Sequence, residues 1–261
     1  MSELTGRYLP STGPTKIEED NSTIVPMVDG EDYFGSIRME IGRAQSPGDA
    51  IYMLGWRFQS DFRFSKDAQD PTEFGKVLAK KAAEGVDVRI IMPAKWQLLY
   101  MLQSSTEKEL RDKGNSDLNN QLDRFGPGGN LRQATLLREQ DVGGNKPLRG
   151  RVLLDHSSEL FGIHHQKMVI VLRGGVGVGF VAGLDFLADR LDSSRHDEPL
   201  PRKNPSSPTD TISYYWHDIG ARIEGPVVNG LLYFFVSRWA YFLQLSNRSF
   251  KLKDGQDIPS L

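Results

Sequence analysis

Between residues 33 and 90 the apolar periodicity of the chain changes three times, and no all-helical or all-strand fold accommodates that. Tyr33, Phe34, Ile37, Ile41 and Ala44 recur at helical spacing, and Ser46-Pro47-Gly48 breaks the pattern. Ala50 to Leu54 is a short uninterrupted apolar run ending at Gly55-Trp56, which predicts a buried strand. Phe74, Val77, Leu78 and Ala82 return to helical spacing, with Gly85 placed to stop the helix. Val86, Val88 and Ile90 then alternate with Asp87 and Arg89. Helix, strand, helix and strand joined by short turns give an α/β layer architecture, a mixed β-sheet flanked by helices.

Later segments extend the sheet. Arg151–Leu154, His165–Leu172 and Gly179–Ala182 are expected as neighbouring strands, and Ile219–Ile223 alternates as a last one. Trp96–Lys113 is expected to be helical. Asn115–Lys146, dense in Gly, Asn, Asp and Gln, is expected as a long loop, and Glu198–Asp210, with four prolines, as a second. Val227–Leu243 is the most apolar stretch, but Asn229, Ser237 and Arg238 interrupt it, so a buried core helix is expected there rather than a membrane span. Residues 1–28 are expected as a flexible leader, polar up to Asn21 and without an apolar run able to serve as a secretion signal, which leaves the cytoplasm as the default location. Residues 29–261 are expected as one domain.

A formal net charge of −2 gives no global attraction to nucleic acid, so no nucleic-acid partner is expected. With no cysteine, thiolate catalysis, disulfides and cysteine-ligated zinc are excluded. Gly174-Gly175-Val176-Gly177-Val178-Gly179 has the density of a nucleotide-binding loop, yet a strand follows where a helix is needed, so it is expected as a hairpin turn. Asp155-His156 and His164-His165 lack a metal-binding spacing, and neither a metal nor another cofactor is expected.

His165-Gln166-Lys167 is the strongest chemical signal. Side chains two apart on a strand share a face, which places an imidazole beside an ammonium. The ammonium neutralises phosphate oxygens, and the imidazole attacks phosphorus or moves a proton.

The surroundings of this tripeptide resemble the phospholipase D superfamily, whose signature is His-x-Lys, four residues, then Asp. His164-His165-Gln166-Lys167 with Val169-Ile170-Val171 resembles the first signature of the eukaryotic-type enzymes. Phe180-Val181-Ala182-Gly183-Leu184-Asp185 and Arg190-Leu191-Asp192 resemble the segments that follow it. So do Trp216-His217-Asp218, Ile223-Glu224-Gly225-Pro226 and Arg238-Trp239 further on, and Gly55-Trp56 upstream. Together they span most of Asp29–Trp239. The signature aspartate falls at Leu172, and the chain holds one His-x-Lys where the full enzymes carry two.

The resemblance implies a phosphodiesterase half-domain that acts on phospholipid head groups at a membrane surface through a phosphohistidine. His165 is the implied nucleophile and Lys167 the phosphate ligand. Asp185 stands where relatives place an Asn near the phosphate. Asp192, or Asp185 instead, is expected to orient His165, while Trp56, His217 and Asp218 line the pocket. The second imidazole is implied to come from another His-x-Lys half-domain, either in cis from a C-terminal half or in trans from a second copy; the eukaryotic-type resemblance favours the former. A nuclease, another phosphodiesterase, and a non-catalytic phosphate- or lipid-binding remnant are the alternatives.

Overall fold

The computed structural model describes residues 21–65, 72–93, 129–155, 164–196, 200–204 and 207–249. Helix α1, Asp29–Arg43, forms where the first apolar stripe predicts it, and Tyr33, Phe34, Ile37 and Ile41 are all buried. Asp29, Glu31 and Asp32 occupy its first turn and Arg43 its last, the polarity that the helix dipole favours.

The described strands are β1 Thr23–Val28, β2 Ala50–Leu54, β3 Asp87–Pro93, β4 Val152–Asp155, β5 Met168–Arg173, β6 Val176–Ala182, β7 Leu200–Asn204, β8 Ser207–Tyr214 and β9 Ile219–Glu224. Seven form one sheet in the order β1-β9-β6-β5-β2-β3-β4. The β2, β3 and β4 strands run parallel, and every pairing from β2 through β5, β6 and β9 to β1 is antiparallel. Parallel neighbours need crossovers. Helix α2, Phe74–Ala83, lies between β2 and β3, and α3, Gly129–Arg138, between β3 and β4.

Alternation along the strands sorts the core onto two faces. Ile51, Met53, Val88, Ile90, Val169 and Val171 point to the face covered by α1, α2 and α3. Tyr52, Leu54, Ile91 and Ile170 point to the other, covered by α4, Val228–Ser249. There Tyr52 stacks on Phe235 at 4.9 Å, and Phe235 on Trp239 at 6.0 Å. Burying Phe235 alone contributes about 1.5–3 kcal/mol. Among the described residues no helix is long and apolar enough to cross a membrane.

Three expectations need correction. Residues 23–28 are not leader but edge strand β1; Pro26 is tolerated there because an edge strand has one unpaired side. Within the expected loop 115–146, residues 129–138 are helical, anchored by buried Ala134 and Leu137. Within the proline-rich 198–210, β7 and β8 pair as a separate two-stranded ribbon, where each strand is an edge and proline costs little. The helix expected at 96–113 lies outside the described residues. The glycine turn is as expected: Arg173 pairs with Val176, and Gly174 and Gly175 between them have φ of 53° and 83°, the left-handed pair of a tight hairpin.

Candidate active site

Strand register brings the chemical residues to one end of the sheet. Leu54 pairs with Met168, Met168 with Val181, and Ala182 with Gly220. The segments 55–57, 165–167, 183–185 and 216–218 therefore all leave the sheet at the same edge.

Lys167 Nζ lies 3.3 Å from His165 Nε2 and 3.4 Å from Asp185 Oδ1. His165 and Lys167 stand just before β5 rather than within it, but they keep the shared face that their spacing predicts. An ammonium donating to Nε2 requires that nitrogen unprotonated, which makes the imidazole neutral. The Trp56 ring packs against His165 at 4.6 Å between centroids and meets Lys167 Nζ at 5.5 Å. The Arg57 guanidinium carbon lies over the Trp56 ring, 4.2 Å from its centroid.

Asp185 is held on both sides. Its Oδ1 accepts from the Arg57 N–H at 3.0 Å, and the flanking backbone is fixed by Phe186 N–H to the Arg57 carbonyl and Gln59 N–H to the Phe186 carbonyl. Asp218 faces Lys167 from the β9 side, and its charge favours the ammonium. Gly183 passes so close that a Cβ there would stand 2.5 Å from Asp218 Oδ1.

Burial sets the protonation of this group. Desolvation lowers the His165 pKa, and the Lys167 charge lowers it further. Desolvation also pushes Lys167 below the ordinary amine value and Asp185 above the ordinary carboxylate value, each opposed by the attraction of the other. The arrangement supplies a neutral imidazole, an adjacent cation and an exposed approach, since His165 itself faces solvent.

The structure unites His165, Lys167, Asp185, Trp56 and Asp218. It separates Asp192 and His217 from them. Asp192 does not orient His165: its carboxylate accepts from Ser193 and Trp216 N–H and bonds His196 Nδ1 at 3.0 Å. Asp185 does not orient His165 either, because it is turned to Lys167. His217 Nδ1 is 3.0 Å from Asp29 Oδ1. His164 lies beside the site with its Nδ1 accepting from Arg238 Nη1 at 3.0 Å, while Arg238 Nη2 bonds the buried Asp155.

Asp29, Arg57 and His196 are not among the site residues expected from the sequence, and Arg190 is marked only as part of the Arg190-Leu191-Asp192 resemblance. Arg190 stacks over Trp216 at 3.3 Å. For Asp29 the partner His217 lies 188 residues along the chain, so nothing in local spacing marks it.

Leu172, at the position of the signature aspartate, pairs with Ala50 and Gly177 at the far end of β5 and packs in the core beneath α4. At about 3.3 Å per residue it stands roughly 17 Å from Lys167 along the strand.

The sequence profile of the family described as Phospholipase D matches residues 45–260. Phospholipase D alpha 1 of Oryza sativa subsp. japonica is 27% identical over 253 residues, covering 82% of this chain and 28% of that protein. Phospholipase D alpha 2 of Arabidopsis thaliana is 26% identical over 223 residues, covering 73% of this chain and 25% of that protein. The chain thus spans about a quarter of the length of these relatives. Among solved structures, a phospholipase D family member, Nuc from Salmonella typhimurium, matches at a TM-score of 0.40 with 13% identity, over 84% of this chain and 95% of that one. The profile match over most of the chain, on the very segments that build this site, places the chain in the phospholipase D family.

Proposed function

We propose that the chain is one half of a phosphodiesterase that cleaves phospholipid head groups at a membrane surface, with His165 as nucleophile. The observation that carries this is the neutral His165 imidazole beside Lys167, packed on Trp56 and open to solvent. In the first step a His165 nitrogen forms a bond to phosphorus, the bond from phosphorus to the head-group oxygen breaks, and that oxygen takes a proton from a second acid. In the second step water attacks phosphorus and gives its proton back to the group that acted as the acid, the P–N bond breaks, and phosphatidate leaves. Lys167 neutralises the phosphate oxygens throughout, and Asp185 keeps the ammonium in place.

One imidazole cannot be the neutral nucleophile and the charged acid in the same step. Among the described residues no other histidine contacts His165: His164 is engaged by Arg238, and His196 and His217 by Asp29 and Asp192. This supports a second half-domain as the source of the acid, from a C-terminal half in cis or a second copy in trans. The relatives' name, phospholipase D, supports a phospholipid substrate.

The test pairs wild type with His165→Ala on phospholipid vesicles and on DNA. Head-group release by wild type alone supports the reading. Release that persists in His165→Ala, or cleavage of DNA in place of lipid, overturns it.

A further inference from the structure

His165 stands on backbone that the sheet does not hold. β5 enters its ladder at Met168, which pairs with Leu54 on one side and Val181 on the other, so residues 164–167 precede the first pairing. Side chains along an extended segment alternate between faces. By that alternation His165 and Lys167 share the face of Val169 and Val171, and His164 takes the face of Met168 and Ile170, which α4 covers. A side chain of α4 meets it there. Arg238 Nη1 donates to His164 Nδ1 at 3.0 Å, and Arg238 Nη2 donates to the buried Asp155 carboxylate at the end of β4. Asp155 Oδ2 also lies 3.7 Å from His164 Nε2.

We propose that Arg238 is a positioning residue for the reaction: anchored on Asp155, it pins His164 and so holds the backbone that presents His165 to the phosphate. The proposal rests on the reading of His165 as nucleophile. His165 then stands between two gripped neighbours, His164 held by Arg238 from the α4 face and Lys167 held by Asp185 from the other. Trp56 and Lys167 meet the His165 ring, whereas the pin acts on the main chain beside it.

The chemistry of the three groups suits this task. A guanidinium is a rigid plane with donors on separate nitrogens, so one side chain serves a carboxylate and an imidazole at once, which a lysine ammonium does not reproduce. The Arg238 side chain is 15% exposed, and the adjacent Asp155 carboxylate compensates the charge that burial penalises. His164 enters as an acceptor through its unprotonated Nδ1. The helix end of the pin is itself fixed. Trp239, the next residue of α4, is completely buried and stacks on Phe235, and Phe235 stacks on Tyr52 of β2. The pin therefore ties the segment before β5 to two elements, β4 and α4, that do not reach His165 through its own strand pairings.

The experiment uses the whole chain, with mixed phosphatidylcholine and phosphatidylethanolamine vesicles for turnover and the His165 imidazole NMR resonance for ring placement, which needs no turnover. His164→Leu removes the acceptor and leaves the Arg238–Asp155 pair in place, so Tm should stay close to wild type. Its kcat should fall about 10- to 100-fold with KM little changed. Its His165 titration should move upward, as the ring leaves the burial and the Lys167 and Arg57 charges that lower its pKa. His164→Asn, whose Oδ1 accepts in place of Nδ1, should restore most of both. The Asp155→Leu/Arg238→Met double variant removes the two buried charges together; it should fold and reproduce the losses of His164→Leu. Two results would overturn the proposal: a His165 titration in His164→Leu that matches wild type, or His164→Asn falling as far as His164→Leu. If wild type releases no head group, the phosphodiesterase reading fails, and the titrations alone decide the pinning.

Discussion

Lys167 and Asp185 face each other at 3.4 Å with only 4% of either side chain exposed, one entering β5 and the other leaving β6. A buried pair of this kind is costly to break, because removing one ion leaves the other charged and desolvated. Either Lys167→Met or Asp185→Leu should therefore lower stability by about 3–5 kcal/mol. The double variant should recover most of that loss, apart from the Arg57 N–H left without its acceptor. Urea unfolding of the four proteins measures the coupling. All three variants should lack activity, which separates the role of the pair in the site from its role in the fold.

His165 must be neutral to attack phosphorus. Burial and the Lys167 charge both lower its pKa, so the neutral form persists to lower pH than for a free imidazole. The acid limb of kcat/KM should accordingly fall below about 6.5. Replacing Lys167 by Gln removes one of the three lowering influences, burial and Arg57 being the others, and should move the His165 titration upward, as followed by its imidazole NMR resonance. A downward move would contradict the assigned cause.

Gly183→Ala tests the placement of Asp218. The new Cβ meets the end of a side chain rather than backbone, so the Asp218 carboxylate should swing away from Lys167 while the fold survives. A misplacement of this size should cost roughly a hundredfold in kcat or less, with Tm little changed.

Leu172→Asp, which restores the family signature in letters, should not improve the chemistry. Position 172 is at the opposite end of β5 from His165 and is packed beneath α4. The charge should instead cost about 1–3 kcal/mol of stability, read from thermal unfolding, with the turnover of the folded protein unchanged.

Asp49 predicts an acid limit to stability. N–H groups of Gln45, Ser46 and Gly174 donate to its carboxylate, and these bonds, opposed by desolvation and aided by Arg173, lower its pKa. A carboxylate with a depressed folded-state pKa contributes stability above its unfolded value, near 3.9, and that stability is lost as pH falls through the folded value. Asp49→Asn should destabilise at neutral pH by about 1–3 kcal/mol and show a smaller further loss on acidification.

The parts of this protein legible in its sequence are those whose periodicity is local. The α1 stripe from Tyr33 to Ile41, the buried run of β2, the alternation of β9 and the Gly174-Gly175 turn each carry their signal within a dozen residues. β1 was hidden because its side chains stay largely exposed and its backbone partner β9 lies near the other end of the chain, and α3 because a few residues such as Ala134 and Leu137 carry its packing. In the site, His165 and Lys167 share one tripeptide and could be read directly. Asp192 could not be assigned, since its bonds to His196 and to the Trp216 N–H depend on how the loop after β6 folds back on the approach to β9.

The pairing of residues 23–28 with 219–224 sets an order of assembly. During synthesis the chain cannot finish its sheet until β9 has left the ribosome, so β1 waits unpaired while almost everything between them is made. β9 also lies between β1 and β6 in the sheet and pairs with both. A chain cut before residue 219 would consequently lose two neighbours at once, stranding β1 and opening the Val178–Ala182 edge to other unfinished chains.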